Sequence, residues 1–357
     1  MIGRFIYHCN GLWIETGFYR VILQSMKKVT IQDIARVSGV SKSTVSRVLN
    51  GTAQVNPEKT KAVLEATKRL GFQPNVLAQS LASGRSSTIG VLTQMIGSPF
   101  YDAISQGLIS GLSGTSYSPI FADGRWEKVE QKDALQALVG RRVDGLVLIG
   151  GTLSSVQVSE ITGDLPVLLV ARKCDLNQIR SISVNNELGA YQATKHLIDC
   201  GHQRIALIRG LSDHGDAADR ISGYKRAILD AGLSQEEDLI VDGDFSADSG
   251  VQGIEILLDK GIGFTAVFAA NDLTAYGARL ALSRVGLRVP EDVAVVGFDD
   301  QMESRYMTPP LSSVRQPARE MGEQAATAMV QLLGGGDFES VEVIPELVIR
   351  QSSEMKR

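Results

Sequence analysis

The chain has few of the groups on which chemistry or cross-linking is usually built. Three cysteines among 357 residues, Cys9, Cys174 and Cys200, are odd in number and fit no metal-ligand or redox spacing. A disulfide scaffold is therefore excluded, and inert thiols in a reducing, cytoplasmic setting are expected. No run approaches the ~18 uninterrupted apolar residues that a membrane span needs, so no membrane partner is expected. Histidine is scarce, and His196, His202 and His214 do not stand at metal-binding intervals. No Gly-x-Gly-x-x-Gly follows the first strand pattern, and there is no phosphate-binding Gly-Lys loop, His-Glu-x-x-His or Gly-x-Ser-x-Gly. The sequence thus nominates no catalytic residue, no cofactor and no metal.

What is present is uneven. The net charge is −4, but residues 26–88 hold ten Lys/Arg against three acids, a local +7, which leaves −12 on residues 89–357 once the +1 of residues 1–25 is included. A basic head on an acidic body suits a protein in which one small domain meets a polyanion, although a solvated basic face would give the same count. A length prior of ~150 residues per domain implies two or three domains. Residues 1–25 are rich in aromatics but interrupted by Arg4, His8, Asn10, Glu15 and Arg20. They lack a signal-peptide core and read as an extension outside the pattern that begins at Met26.

From Thr30 the punctuation is sharp. Thr30 caps a helix over Ile31–Ser38 with Asp33 three residues on, Gly39 ends it, and Ser41 caps a second helix, Lys42–Asn50. Val45, Val48 and Leu49 should turn inward against Ile31, Ile34, Ala35 and Val40, leaving Ser43, Ser46 and Arg47 on the opposite face. Two short helices about a glycine turn are the helix-turn-helix layout, with Lys42 in the first turn, where base edges are reached. A purely structural helical pair would look similar. Asn56-Pro57 opens a third helix that Gly71 stops, and residues 75–83 read as a short helix capped by Asn75, too short to be stable alone.

The segments VTIQDIARVSGVSKSTVSRVLNG, NPEKTKAVLEATKRLGFQPN and VLAQSLASGRSSTIGVL together resemble the headpiece and hinge of the LacI/GalR family of bacterial repressors, and the likeness continues almost to the C-terminus. The resemblance implies double-stranded operator DNA as partner, a homodimer, and a DNA-binding set of Thr30, Lys42, Ser43, Thr44, Ser46, Arg47, Asn50, Asn75, Ala78 and Leu81. In such a dimer Leu81 would wedge into the central minor-groove step, beside the small Ala78.

Beyond Thr88 short apolar strands alternate with amphipathic helices. Strands are expected at Ile89–Leu92, Ser118–Phe121, Gly145–Ile149, Val167–Val170, Ile205–Arg209, Ala266–Ala269 and Val293–Phe298. Helices are expected near Tyr101–Leu112, Val129–Val139, Ser155–Thr162, Leu188–Cys200, Arg220–Ala231, Asp248–Asp259 and Thr274–Val285. Two successive units of this kind imply two doubly wound lobes. The expected fold class is an all-α helix-turn-helix headpiece plus an α/β two-lobed, periplasmic binding-protein-like sensor domain with doubly wound parallel sheets. The expected divisions are 1–25, 26–74, a hinge at 75–87 and a body at 88–351. Within the body, lobe 1 would hold 88–184 and 315–344, and lobe 2 would hold 185–314 and 345–351.

A small-molecule effector should sit where polar residues stop the strands. The resemblance points to a sugar, held by Phe100, Arg172, Asp216, Arg220, Phe245, Asn271 and Asp299. A guanidinium donor facing a carboxylate acceptor suits vicinal hydroxyls. Taken singly, Phe245 could be core, Arg220 and Asp299 could be a structural pair, and Asp272 and Asp300 could cap helices. Gly97-Ser98, Ala171 and Ala318 depart from the family's common residues at positions that set ligand identity, so the sugar is not named. The competing function is a free-standing periplasmic sugar-binding protein, which would carry a secretion signal in place of the basic headpiece. No heptad repeat follows the body, so a dimer is expected rather than a larger coiled-coil assembly.

Overall fold

The computed structural model describes residues 8–9, 12–13, 29–50, 55–72, 84–176 and 178–354. The chain divides into two compact units, Met1–Ser86 and Ser87–Arg357.

In the first unit β1 (His8–Cys9) pairs antiparallel with β2 (Leu12–Trp13). Three helices follow, α1 (Ile31–Ser38), α2 (Lys42–Asn50) and α3 (Pro57–Leu70). Their ends are local chemistry. Thr30 and Asp33 form a reciprocal capping box, Ser41 Oγ accepts from the Thr44 amide at 3.2 Å, and Asn56 Oδ1 accepts from the Glu58 amide at 2.8 Å. Gly39 and Gly71 close α1 and α3 at φ 70° and 61°, which a side chain would resist. Ile34, Val45, Val63 and Ala66 form the buried centre, with Ala35, Val40, Val48, Leu49 and Leu70 packed around it. Ile31 departs from expectation: it is 39% exposed, because it occupies the first turn of α1, beyond the end of this small core.

The second unit contains two six-stranded sheets. Lobe 1 is built on β3 (Thr88–Thr93), β4 (Ser118–Asp123), β5 (Gly145–Ile149), β6 (Val167–Val170), β7 (Arg180–Val184) and β13 (Val341–Val343), all parallel, in the order β13-β7-β6-β5-β3-β4. Lobe 2 uses β8 (Ile205–Ile208), β9 (Ile240–Val241), β10 (Ala266–Ala269), β11 (Ala294–Asp299), β12 (Ser312–Arg315) and β14 (Glu346–Val348), in the order β14-β12-β11-β10-β8-β9. Its edge strand β14 runs antiparallel to β12, so this sheet is mixed at one margin.

Strand alternation feeds a core on each face. Val147 and Ile149 of β5 join Ile104 and Leu108 of α4 (Pro99–Leu112) and Met321 and Ala325 of α11 (Ala318–Leu333). Leu146 and Leu148 instead meet Leu135 of α5 (Lys128–Gly140) and Val158 of α6 (Ser155–Thr162). In lobe 2, Val267 and Ala269 face α9 (Ala247–Asp259) and α10 (Asp272–Arg284), while Ala266 and Phe268 face α7 (Asn186–Asp199) and α8 (Gly215–Asp230). The helix pairs approach closely: a Cβ added at Gly107 of α4 would stand 2.0 Å from the Arg319 carbonyl oxygen of α11.

The chain passes between the sheets from β7 into α7, from β12 into α11, and from β13 into β14. Three expectations need correction. Helix α8 begins at Gly215, so Arg220 lies in its second turn rather than opening it. Asn271, not Asp272, caps α10, its Oδ1 accepting from the Thr274 amide at 2.9 Å. Asp300 caps nothing, because its carboxylate is taken by Arg315 at 2.8 Å and Arg350 at 2.6 Å.

Candidate functional site

The headpiece presents the second helix as its polar face. Val45 is fully buried, while Lys42, Ser43 and Arg47 are exposed and Thr44 and Ser46 are half-buried. Ser43 Oγ and Thr44 Oγ1 each lie 2.9 Å from Ser41 Oγ, which gathers small hydroxyls at the helix N-terminus. Among the described residues neither Lys42 nor Arg47 has a carboxylate partner within ion-pair distance, so both cations are available. Thr30 is occupied in its capping box, its Oγ1 2.7 Å from Asp33 Oδ2. Asn50 ends α2. Asn75, Ala78 and Leu81 lie outside the described residues.

In the second unit a cavity of about 270 Å³ opens between the lobes. Lobe 1 contributes Phe100 and Tyr101 from α4 and Trp126 from the turn after β4. Lobe 2 contributes His214 and Asp216 at the start of α8, Arg220, Phe245, Asn271 and Asp299. Six of the seven residues expected to hold a ligand therefore line one cavity. Arg172 is not among them; its guanidinium donates to the carbonyls of Gly150 at 3.4 Å and Leu153 at 2.6 Å inside lobe 1.

Arg220 is held from behind. Its Nε donates to Asn186 Oδ1 at 2.9 Å, one Nη donates to the Ala270 carbonyl, and the guanidinium carbon lies 3.7 Å from the Phe298 ring centroid. The other Nη has no acceptor among the described residues. Asp299 stands at the C-terminal end of β11 with φ 106°, a strained conformation of the sort found at binding sites. Its Oδ1 accepts from Gln316 Nε2 at 2.7 Å. Burial pushes this carboxyl up to about 6, against the opposing pull of Arg220, Gln316 and Gln301. Burial likewise raises Asp216, with His214 and Arg220 pulling it down.

Phe245, at φ 69°, lies over Gly210, where a Cβ would stand 2.1 Å from the ring. Asn271 Nδ2 donates to the Phe245 carbonyl at 3.0 Å and so ties this aromatic to the cap of α10. Behind them Asp272 is buried, accepting from Gln301 N, Ser304 Oγ and Ser313 Oγ at 2.8, 2.6 and 2.6 Å. Burial, then the charge of Asp299, pushes Asp272 up to about 8. Burial, then the charges of Asp216 and Asp299, holds Tyr101 far above the ordinary phenol range, so its hydroxyl remains a donor.

The sequence reasoning missed Tyr101, Trp126 and His214. Two of them were within reach of the rule that ligands lie beyond the C-terminal ends of parallel strands, since Trp126 follows β4 and His214 follows β8. Together these walls offer charged and neutral hydrogen-bonding groups between aromatic faces. That arrangement can orient a small hydroxylated ring.

Residues 30–75 match the model of bacterial regulatory proteins, lacI family, and residues 194–353 match that of the periplasmic binding protein-like domain. Catabolite control protein A of Priestia megaterium is 34% identical over 329 residues, covering 91% of this chain and 99% of the relative. The HTH-type transcriptional regulator CelR of Thermobifida fusca is 35% identical over 345 residues, covering 92% and 100%. Among solved structures, the lac repressor dimer bound to operator and the anti-inducer ONPF is similar with a TM-score of 0.82 at 31% identity, covering 92% of this chain and 99% of that one. The CelR–cellobiose complex is similar with a TM-score of 0.68 at 35% identity, covering 91% and 99%. The headpiece helices, the two-lobed body and relatives that span nine-tenths of the sequence agree, and the chain belongs to the lacI family of bacterial regulatory proteins.

Proposed function

We infer that this protein is a sequence-specific DNA-binding transcription regulator, acting as a repressor, whose operator affinity is set by a sugar bound between its lobes. The observation that carries the reading is the cleft. Arg220 and Asp299 from one lobe and Tyr101 from the other face one cavity, in a chain that also bears a helix-turn-helix. Relatives support the ligand class, since CelR is solved with cellobiose and the lac repressor with ONPG. A cavity of about 270 Å³ stands just below the ~300–1,000 Å³ usual for ligand sites and suits a single sugar ring better than two.

Two copies related by a two-fold axis each place Lys42, Ser43, Thr44, Ser46, Arg47 and Asn50 against one half-site, with Thr30 at the backbone. The segment holding Asn75, Ala78 and Leu81 follows, Leu81 as the minor-groove wedge. It runs in sequence into β3 of lobe 1, and the proposed route from ligand to DNA passes through it. The protein turns nothing over, and it works in the cytoplasm, on the nucleoid. Selection of bound duplexes from random DNA, with thermal-shift screening against sugars, tests both halves. A near-palindromic consensus and a stabilising sugar are expected; a ligand at ~100 Kd adds about 2.7 kcal/mol. Recovery of the same duplexes by a chain lacking residues 26–85 would refute the reading.

A further inference from the structure

Trp126 and His214 meet across the cleft, one from each lobe, with ring centroids 4.7 Å apart and edge to face. Two observations set this pair apart. Arg125 and Trp126 are consecutive non-glycine residues in the left-handed region, at φ 48° and 61°, a costly backbone that persists where the surroundings enforce it. His214 is 5% exposed, and neither ring nitrogen has a hydrogen-bond partner among the described residues. By contrast, His196 Nε2 lies 2.8 Å from Ser353 Oγ and His202 Nδ1 2.9 Å from Thr265 Oγ1. A buried imidazole without partners is expensive unless something arrives to pair it.

The ring lines the cavity between Trp126 and Phe245, the latter centroid 5.7 Å away. The charged groups facing it are Asp216, 3.9 Å from Nδ1, with Arg220, Arg172 and Asp213, the last paired to Lys128 at 3.9 Å. Burial holds the ring below the ordinary histidine range against the pull of Asp216, so at neutral pH it offers one donor and one acceptor.

We propose that Trp126 and His214 form a clasp that selects the effector, the imidazole pairing with hydroxyls of an uncharged sugar while the indole closes over its apolar face. This rests on the reading of the cleft as a sugar site and identifies which residues discriminate within it. The test uses the full chain carrying Trp13→Phe, which leaves Trp126 as the single indole of the two in the sequence. D-glucose, D-galactose, D-ribose and cellobiose are titrated by indole emission and by calorimetry. At least one should bind saturably and shift the emission. His214→Ala and Trp126→Ala should each weaken it by about tenfold or more, with partial recovery in His214→Gln and Trp126→Phe and a changed rank order among the four sugars. Unchanged affinity and rank order in both alanine variants would overturn the clasp and leave the sugar reading standing. Failure of all four sugars to bind the folded parent would overturn the sugar reading, and the clasp with it. A second measurement needs no ligand and covers an alanine variant that fails to fold. Protonated imidazole quenches an indole in contact, so emission should fall with a midpoint below about pH 6.5, and should not fall in His214→Gln. A flat profile in the parent would overturn the ring contact on which the clasp depends.

Discussion

The side-chain amide of Gln316 donates to Asp299 Oδ1 across 2.7 Å, and so joins the segment that leaves lobe 2 for lobe 1 to a carboxylate on the cleft wall. Gln316 is buried, and Asp299 has a second, longer contact to Gln301 Nε2 at 3.5 Å. On the proposed reading, a ligand hydroxyl that reaches Asp299 would compete within this arrangement and so act on a crossover. Gln316→Leu should cost about 1–3 kcal/mol in denaturant unfolding, because the carboxylate loses its nearer donor. It should also shrink the ligand-induced change in operator affinity. A variant of unchanged stability and response would show the bond to be incidental.

Asp299 also makes a prediction about pH. Its folded value of about 6 exceeds the unfolded carboxylate value of ~3.9, so the protonated form favours the folded state. The stabilisation is complete below about pH 4 and is lost as pH rises through about 6, a swing of up to ~3 kcal/mol. His196, His202 and His214, all lowered by burial, act in the opposite sense below about pH 6.5. The measurement is therefore the stability difference between the parent and Asp299→Asn at pH 4.5 and pH 7.5. The difference should shift toward the parent at the lower pH, and a difference independent of pH would contradict the burial argument.

Arg220 is a structural element that lines the cleft and, on the proposed reading, donates to the ligand; two variants separate the roles. Arg220→Ala leaves the Ala270 carbonyl and Asn186 Oδ1 without their donor and should destabilise by about 2–4 kcal/mol. Arg220→Lys keeps the charge but loses the fork. It should bind sugar about tenfold or more weakly, while ligand-free operator affinity stays within about twofold. If lysine preserves sugar affinity in calorimetry, Arg220 serves packing alone.

Sequence legibility followed the range of the interactions. Thr30, Gly39, Ser41, Asn56 and Gly71 act on their own neighbours, so the ends of α1–α3 could be read directly. Strands β5, β6 and β10 are buried on both faces and announce themselves as apolar runs. Strand β12 was missed because it begins Ser312-Ser313. Those hydroxyls become acceptable inside through Arg350, Ser353 and Asp272, partners about 40 positions away, with the Asp300 amide also donating to Ser313. The same holds in the cleft. Asp299 stands out as a charge at a strand end and Arg220 as one in the helix after a strand, whereas Trp126 and His214, although they follow strands, carry no charge that marks them, and Tyr101 looks like an ordinary helix residue until the fold brings them together. Arg172 follows a strand as expected but turns to nearby carbonyls.

Arg47 should separate sequence reading from simple charge. Arg47→Ala should cost about 1–3 kcal/mol on the selected operator and much less on random duplex if the guanidinium meets a base edge. Equal losses on both DNAs, with the salt slope reduced by about 1, would assign it to phosphate instead.

The most direct test of the account is the operator affinity of the full chain with and without a sugar shown by calorimetry to bind the cleft, together with the sugar's affinity with and without operator. Linkage requires both to change by one factor, usually about 5- to 150-fold. We predict a common factor in that range, lost in Arg220→Lys. An operator affinity that does not move while the cleft is saturated would contradict ligand control of DNA binding.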